Sequence, residues 1–252
     1  VVEEAPSPLL DAATRTRIGA AACETARSVG YVGAGTVEFI VPGDSPDEFY
    51  FMEMNTRLQV EHPVTEETAG IDLVREQFRI ANGEKLRHTE DPAPRGHSIE
   101  FRINAEDVTN GFAPSPGTVT RFDVPTGPGI RVDSGVRTGS DIPAYYDSLM
   151  AKLIVIAPTR DAALARSRQA LKEFTIEGVR TVLPFHRDMV DAPELNGDSL
   201  DLYTDWVDGN YSPSANHETS DIEHLYDERE TVVIEIDGRL HEIGIPRRML
   251  SG

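Results

Sequence analysis

Cysteine is almost absent: Cys23 stands alone in 252 residues. One thiol excludes an internal disulfide and fits a reducing cytoplasm. Lysine is nearly as scarce, with Lys85, Lys152 and Lys172 against 21 arginines, 24 basic residues less 3. Asp and Glu number 43, so the formal net charge is −19. A chain this acidic lacks the positive field that non-specific nucleic-acid binding needs. The carboxylates read instead as a solvating surface for a saline cytoplasm, where ionic strength screens self-repulsion. A GC-rich genome would also favour Arg over Lys, but it does not require such a charge. No apolar run nears the ~18 residues that cross a bilayer. Val1-Val2-Glu3-Glu4 has neither the basic start nor the apolar stretch of a secretory signal. It reads like a domain interior, and the chain is expected to be a fragment of a longer protein.

What is present is an alternation of helical and strand patterns, which predicts an α+β fold. Residues 10–29 read as a helix with Ile18, Ala21, Ala22, Ala26 and Val29 on one side and Gly30 ending it. Cys23 falls inside it as a small packing residue. Residues 34–41 and 48–55 read as an antiparallel hairpin about the turn Pro42-Gly43-Asp44-Ser45-Pro46-Asp47. Thr65 opens a second helix, with Glu66 and Glu67 in its first turn, a buried stripe of Ile71, Val74, Phe78 and Ala81, and Asn82-Gly83 as its stop. Residues 88–97 form a Pro- and Gly-rich boundary. A strand over 98–104 points Ile99, Phe101 and Ile103 inward, a further strand covers 151–157, and helices cover 160–174 and 184–190. Residues 207–230 are acidic and aperiodic and read as linker. Residues 231–245 carry a hairpin signal about Asp237-Gly238.

The most informative run is Glu53-Met54-Asn55-Thr56-Arg57-Leu58-Gln59-Val60-Glu61-His62-Pro63. Glu53, Asn55, Arg57, Gln59 and Glu61 recur at every second position, so an extended backbone would turn them to one face. The hairpin partner supplies Glu38, flanked by Val37 and Phe39, where a lone carboxylate is costly to bury. Two carboxylates and an amide oxygen are hard ligands, suited to Mg²⁺ or Mn²⁺ completed by water and phosphates. The local inference is a metal–nucleotide site for phosphoryl transfer. A solvent-exposed polar hairpin face would give the same alternation, and spacing alone does not choose between them. His62 and His97 lack a His or Cys at zinc-ligand spacing and read as structural.

Gly33-Ala34-Gly35-Thr36-Val37-Glu38-Phe39 and the run from Glu53 to Glu66 together resemble biotin carboxylase, an ATP-grasp enzyme. The resemblance extends to Arg95–Asp107, Pro114–Gly117 and Tyr145–Leu153, and covers roughly residues 1–205. It implies that Glu38 and Glu53, with Asn55 beside them, hold the metal that bridges the ATP phosphates. It implies that Arg57, Gln59 and the backbone N–H of Val60 form the bicarbonate pocket, where a planar guanidinium matches a planar oxyanion. Glu61 would be the base that takes the bicarbonate proton. Arg102 would stabilise the biotin enolate. The implied chemistry is ATP-dependent conversion of bicarbonate to carboxyphosphate, which releases CO₂ to carboxylate biotin on a carrier protein. Asp147 and Lys152 lie in a matching motif and read as structural, and Arg121 resembles a homodimer contact.

The resemblance divides the chain into residues 1–88, the C-terminal half of an ATP-grasp domain, 95–206, a biotin carboxylase C-terminal domain, the linker 207–230, and 231–252, a hairpin beginning a further domain. It implies a subunit of an acyl-CoA carboxylase that works with a biotin carboxyl carrier domain and a carboxyltransferase subunit, as a homodimer. In that family a glycine-rich lid precedes the matching region, so the chain alone is expected not to turn over ATP. Two rivals remain: a carbamoyl-phosphate synthetase-like ATP-grasp ligase, and a non-catalytic truncated interaction module.

Overall fold

The computed structural model describes residues 1–88, 90–197, 202–214, 229–236 and 239–246. Strand β1 (Val2–Ala5) leads to α1 (Ala12–Ser28), the hairpin strands β2 (Thr36–Ile40) and β3 (Tyr50–Asn55), then α2 (His62–Ala69) and α3 (Leu73–Ala81). Next come β4 (His97–Asn104) and the short strands β5 (Glu106–Asp107), β6 (Ala113–Pro114), β7 (Gly117–Thr118) and β8 (Arg121–Asp123). They are followed by β9 (Ile130–Ser134), β10 (Asp141–Ile142) and β11 (Leu149–Ala157). The remainder is α4 (Arg160–Glu173), β12 (Thr175–Glu177), α5 (Leu183–Asp191), α6 (Pro193–Asn196), α7 (Trp206–Asn210), β13 (Arg229–Ile236) and β14 (Arg239–Pro246). Helices and antiparallel sheets in this arrangement make the fold α+β.

The central sheet runs β1-β4-β11-β9, with each neighbour antiparallel. Period-two alternation gives it two unlike faces. On one face Ile99, Phe101 and Ile103 stand opposite Val155, Leu153 and Ala151 and meet Ala163, Leu164, Ala170 and Leu171 of α4 and then Phe174. This is the main core. The other face carries Glu3, Glu100, Arg102, Lys152 and Asp133, with Glu3 opposite Glu100 and Lys152 between Arg102 and Asp133. The sequence reading placed only the apolar side of β4 inward. Both sides are buried, because α2 and the loop before it cover the polar face, and Ser98 and Glu100 are fully enclosed.

Several expectations are corrected. The single helix expected from Thr65 through Ala81 is two helices, because Gly70 takes a left-handed conformation at φ 69° and ends the first turn set. The first helix starts earlier, at His62, with Pro63 in its opening turn, where a missing N–H costs nothing. Glu66 therefore does not begin a helix. Its carboxylate accepts a 2.9 Å bond from the N–H of Leu73 and so serves the start of α3. The break also shifts the helical phase: Val74 and Phe78 are exposed, and Glu76 is the buried residue of α3. Cys23 is exposed rather than packed.

At the termini the structure adds two elements. Residues 2–5 form an edge strand of the central sheet, so the first residues pair with β4 across the expected division of the chain. The expected linker opens with helix α7, whose Trp206 is buried with Val108, Val182, Phe185 and Met189. Tyr211 follows and packs edge-on to Phe185 at 4.9 Å between centroids. Residues 215–228 lie outside the described residues. The strands β13 and β14 form the expected antiparallel hairpin.

The turn between β12 and α5 depends on one glycine. Gly178 holds φ at 97°, and a Cβ there would strike the backbone of Thr118 and Thr120. Replacing Gly178 with alanine is expected to destabilise the fold by about 1–3 kcal/mol, read as a lower thermal midpoint. A midpoint equal to the parent's would contradict the required conformation.

Candidate active site

The hairpin β2/β3 presents Glu38 directly opposite Glu53, with Asn55 opposite Thr36. Two carboxylates facing each other across strands repel unless something lies between them. Here the Asn55 amide does so: its Nδ2 donates to Glu38 at 2.7 Å and to Glu53 at 3.1 Å. Gln59 Nε2 donates to the same Glu38 oxygen. Asn55 Oδ1 accepts from Arg57 at 3.2 Å, and Arg57 also reaches the carbonyl of Leu58 at 3.4 Å. The five polar residues of the run thus divide. Glu53, Asn55, Arg57 and Gln59 join Glu38 in one hydrogen-bonded group, and Glu61 points elsewhere.

The donor set at Glu38 and Glu53 fits a hard divalent cation. The carboxylates are adjacent and share only amide hydrogens, so a cation there relieves their repulsion. Asn55 currently turns its nitrogen toward them; ligation through Oδ1 requires its amide to rotate. No group of three or more His, Cys, Asp or Glu placed to hold a metal ion occurs among the described residues. A cation held by the two carboxylates would therefore need water or substrate oxygens to complete its shell.

The strand ends at Asn55, short of the alternation but within the expected 48–55, and the following loop turns Glu61 toward the central sheet. Arg102 on β4 donates to Glu61 Oε2 at 2.6 Å, joining two motifs 41 residues apart. The pair is partly enclosed, with side chains 30 % and 25 % exposed. Arg102 is fixed from behind. Its N–H donates to the carbonyl of Val1 at 3.0 Å, and its carbonyl accepts from His186 Nε2 at 2.6 Å. Burial drives the His186 pKa down to about 4, so the ring is neutral and its Nε2–H donates. The Arg102 Nε is buried without a partner, leaving the guanidinium a spare donor beside Glu61.

Four residues of this neighbourhood escaped the sequence reading. Lys152, read as structural, donates from Nζ to the carbonyl of Val60 at 2.8 Å. Glu100 lies beneath Arg102 and Lys152. Its signal was present, because it sits mid-strand between Ile99 and Phe101 as Glu38 sits between Val37 and Phe39. Glu3 has its pKa raised, first by burial and then by the charge of Glu61, with Glu38 contributing further. His186 had no spacing signal at all. His62 contacts the Gln59 carbonyl, and His97 pairs with Glu4 at 2.7 Å. Arg121 is exposed and pairs with Asp123 and Glu177. Asp147 accepts from the N–H of Leu149. A cavity of about 260 Å³ lined by Asp107, Phe174, Glu177 and Arg187 holds none of the site residues.

Residues 1–89 match the family described as carbamoyl-phosphate synthase L chain, ATP binding domain, and residues 100–209 match the biotin carboxylase C-terminal domain. The biotin-dependent acyl-coenzyme A carboxylase alpha3 subunit of Mycobacterium leprae is 51 % identical over 252 residues, 98 % of this chain and 42 % of that protein. The biotin carboxylase of a Nostoc species is 51 % identical over 196 residues, 77 % of this chain and 43 % of that protein. Among solved structures, the biotin carboxylase domain dimer of Hydrogenobacter thermophilus 2-oxoglutarate carboxylase, in complex with MgADP, ADP and bicarbonate, superposes with a TM-score of 0.79. It is 46 % identical, and the match covers 82 % of this chain and 45 % of that one.

An ATP-grasp-type hairpin beside an antiparallel sheet whose Arg102 meets Glu61 defines the class. The chain belongs to the biotin carboxylase family. It spans less than half the length of these curated relatives.

Proposed function

We propose that this chain supplies the metal, bicarbonate and base machinery of a biotin carboxylase that makes carboxyphosphate from ATP and bicarbonate and carboxylates biotin on a carrier protein. The observation that supports this most is the 2.6 Å contact between Glu61 and Arg102. It joins the residue that would take the bicarbonate proton to the residue that would stabilise biotin's oxygen. Arg57, Gln59 and Val60 bind bicarbonate ahead of Glu61. Proton transfer to Glu61 leaves an oxygen able to attack the γ-phosphate. The Arg102 guanidinium then faces the negative charge that the ureido oxygen gains when biotin loses its proton. Glu38, Glu53 and Asn55 would hold Mg²⁺ or Mn²⁺, which would offset charge on the ATP phosphates.

The wider assignment rests on the same family. The parent protein is an acyl-CoA carboxylase subunit working with a carrier domain and a carboxyltransferase. The Hydrogenobacter relative is a dimer, and we assign this chain a homodimer too. We place the division of this chain near residues 88–95, before β4, with β1 alone pairing across it. No helix among the described residues is long and apolar enough to cross a membrane. The single cysteine and the charge of −19 support a reducing, saline cytoplasm.

In the complete carboxylase, Arg102→Ala is expected to lower biotin carboxylation by about 10²–10³-fold and bicarbonate-dependent ATP hydrolysis less, through the Glu61 carboxylate that Arg102 also holds. Assays of the two activities side by side check this. Equal loss of both would favour a carbamoyl-phosphate synthetase-like ligase, in which no residue serves biotin alone. The match of residues 100–209 to the biotin carboxylase C-terminal domain speaks against that alternative.

A further inference from the structure

We propose that Lys152 and Glu100 are positioning residues for the bicarbonate strip: Lys152 fastens the peptide between Val60 and Glu61, and Glu100 is the buried counter-charge that lets Lys152 do so beside Arg102. The proposal rests on the biotin carboxylase reading above and extends it to two residues outside the expected site.

The geometry has three parts. First, the Lys152 ammonium donates to the Val60 carbonyl at 2.8 Å, and the Lys152 side chain is only 12 % exposed. That carbonyl belongs to the peptide whose N–H is Glu61's, so Lys152 sets the plane from which the Glu61 side chain leaves. Arg102 holds the Glu61 carboxylate at 2.6 Å. The base is thus gripped at its backbone and at its tip by cations on adjacent strands. Second, those cations are direct cross-strand partners in the β4/β11 register. Like charges opposite each other destabilise a sheet unless anions intervene. Asp133 stands across from Lys152 but 3.9 Å away, and it also receives Arg131 at 2.8 Å. Third, Glu100 lies on the same face two residues before Arg102, fully enclosed, with neither carboxylate oxygen hydrogen-bonded. A carboxylate there has no solvent and no dipole to stabilise it, only the fields of Lys152 and Arg102.

The charges around Glu100 set its pH response. Facing it are Lys152 from β11, Arg102 from its own strand, Glu3 from β1 and Glu61 from the loop before α2; Asp133, Arg131 and Glu66 face Lys152. Burial raises the Glu100 pKa to about 7 despite the two cations, and Glu3 and Glu61 push in the same direction. Burial also lowers that of Lys152. Above neutrality Glu100 is ionised and both cations are compensated. In mild acid it becomes neutral, and Lys152 faces Arg102 without its counter-charge.

The test uses the complete carboxylase and measures bicarbonate-dependent ATP hydrolysis. Lys152→Met keeps the stem and removes the ammonium. It is expected to lower kcat/KM for bicarbonate by roughly 10²-fold, the scale of an ångström's misplacement, with KM for MgATP unchanged. Glu100→Gln keeps the shape and removes the charge. It should lower kcat/KM for bicarbonate at pH 8 toward the parent's value at pH 6, flattening the rise between them. If Lys152→Met fails to fold, the Glu100→Gln profile decides alone. A parental bicarbonate kcat/KM in Lys152→Met, an equal loss of MgATP affinity, or a parental pH profile in Glu100→Gln would overturn the proposal. A parent enzyme without bicarbonate-dependent ATP hydrolysis would instead overturn the function on which it rests.

Discussion

Glu61→Gln in the complete carboxylase is expected to cut kcat for bicarbonate-dependent ATP hydrolysis by about 10²–10⁴-fold, the range for removing a positioned general base. Glutamine matches glutamate in volume, and its amide oxygen can still accept the 2.6 Å bond from Arg102, so the loop and the arginine stay in place. What is lost is the ability to take a proton. The hydrogen-bonded group at Glu38, Glu53, Asn55 and Gln59 does not include Glu61. KM for MgATP should therefore hold while kcat falls, the signature of an interaction needed in the transition state. Arg57→Ala should differ: in the proposed function Arg57 binds bicarbonate, so its loss should raise KM for bicarbonate. A Glu61→Gln enzyme that keeps its kcat would remove Glu61 from the proton step, whatever family the chain belongs to.

The sequence showed the site where chemistry and local pattern coincide, and hid it where tertiary packing decides. The hairpin was legible because its turn residues and period-two strands are local signals, but the shift in register between Glu38 and Phe39, which sets Glu38 against Glu53 rather than Met52, was not. The end of the run as a strand was legible too, since Pro63 has no N–H for a ladder. Glu61 meeting Arg102 was not a matter of pattern. Spacing says nothing about two residues 41 apart, and only the family resemblance placed both in one site. The polar face of the central sheet was missed for a related reason. Glu3, Glu100, Lys152 and Asp133 come from four strands, and each looks like an ordinary polar residue until the strands are aligned. The helix break at Gly70 went unread because the apolar residues beyond it kept a helical period, although they remain exposed. Edge strand β1 was too short to announce itself, yet its residues supply Glu3 to the site and Glu4 to the core's rim.

Glu4 gives the second large effect. It lies on the apolar face of the sheet, opposite Ile99, where a carboxylate needs partners. Arg160, at the start of α4, donates to both its oxygens, at 2.8 and 3.1 Å, and also to the carbonyl of Leu195 at 2.8 Å. His97 adds a contact at 2.7 Å. The Arg160 and Glu4 side chains are 18 % and 19 % exposed. This one guanidinium thus ties β1, α4 and the end of α6 together. Arg160→Met fills much of the same space but strands the carboxylate, and is expected to destabilise the chain by about 3–5 kcal/mol, the cost of breaking an enclosed pair. The sign of its pH dependence is fixed. Burial alone would raise the Glu4 pKa, but the bonds from His97 and Arg160 outweigh it and hold the carboxyl below its ordinary range. A depressed folded pKa contributes stability above the unfolded value and loses it as pH falls through the folded one. The deficit of Arg160→Met should therefore be full at pH 7 and shrink toward pH 3. Urea unfolding followed through Trp206, the single tryptophan, measures it at both. A deficit below about 1 kcal/mol at pH 7, the scale of a surface ion pair, would show that Glu4 does not depend on Arg160. A deficit that grew in acid would show that the carboxyl is held neutral rather than ionised.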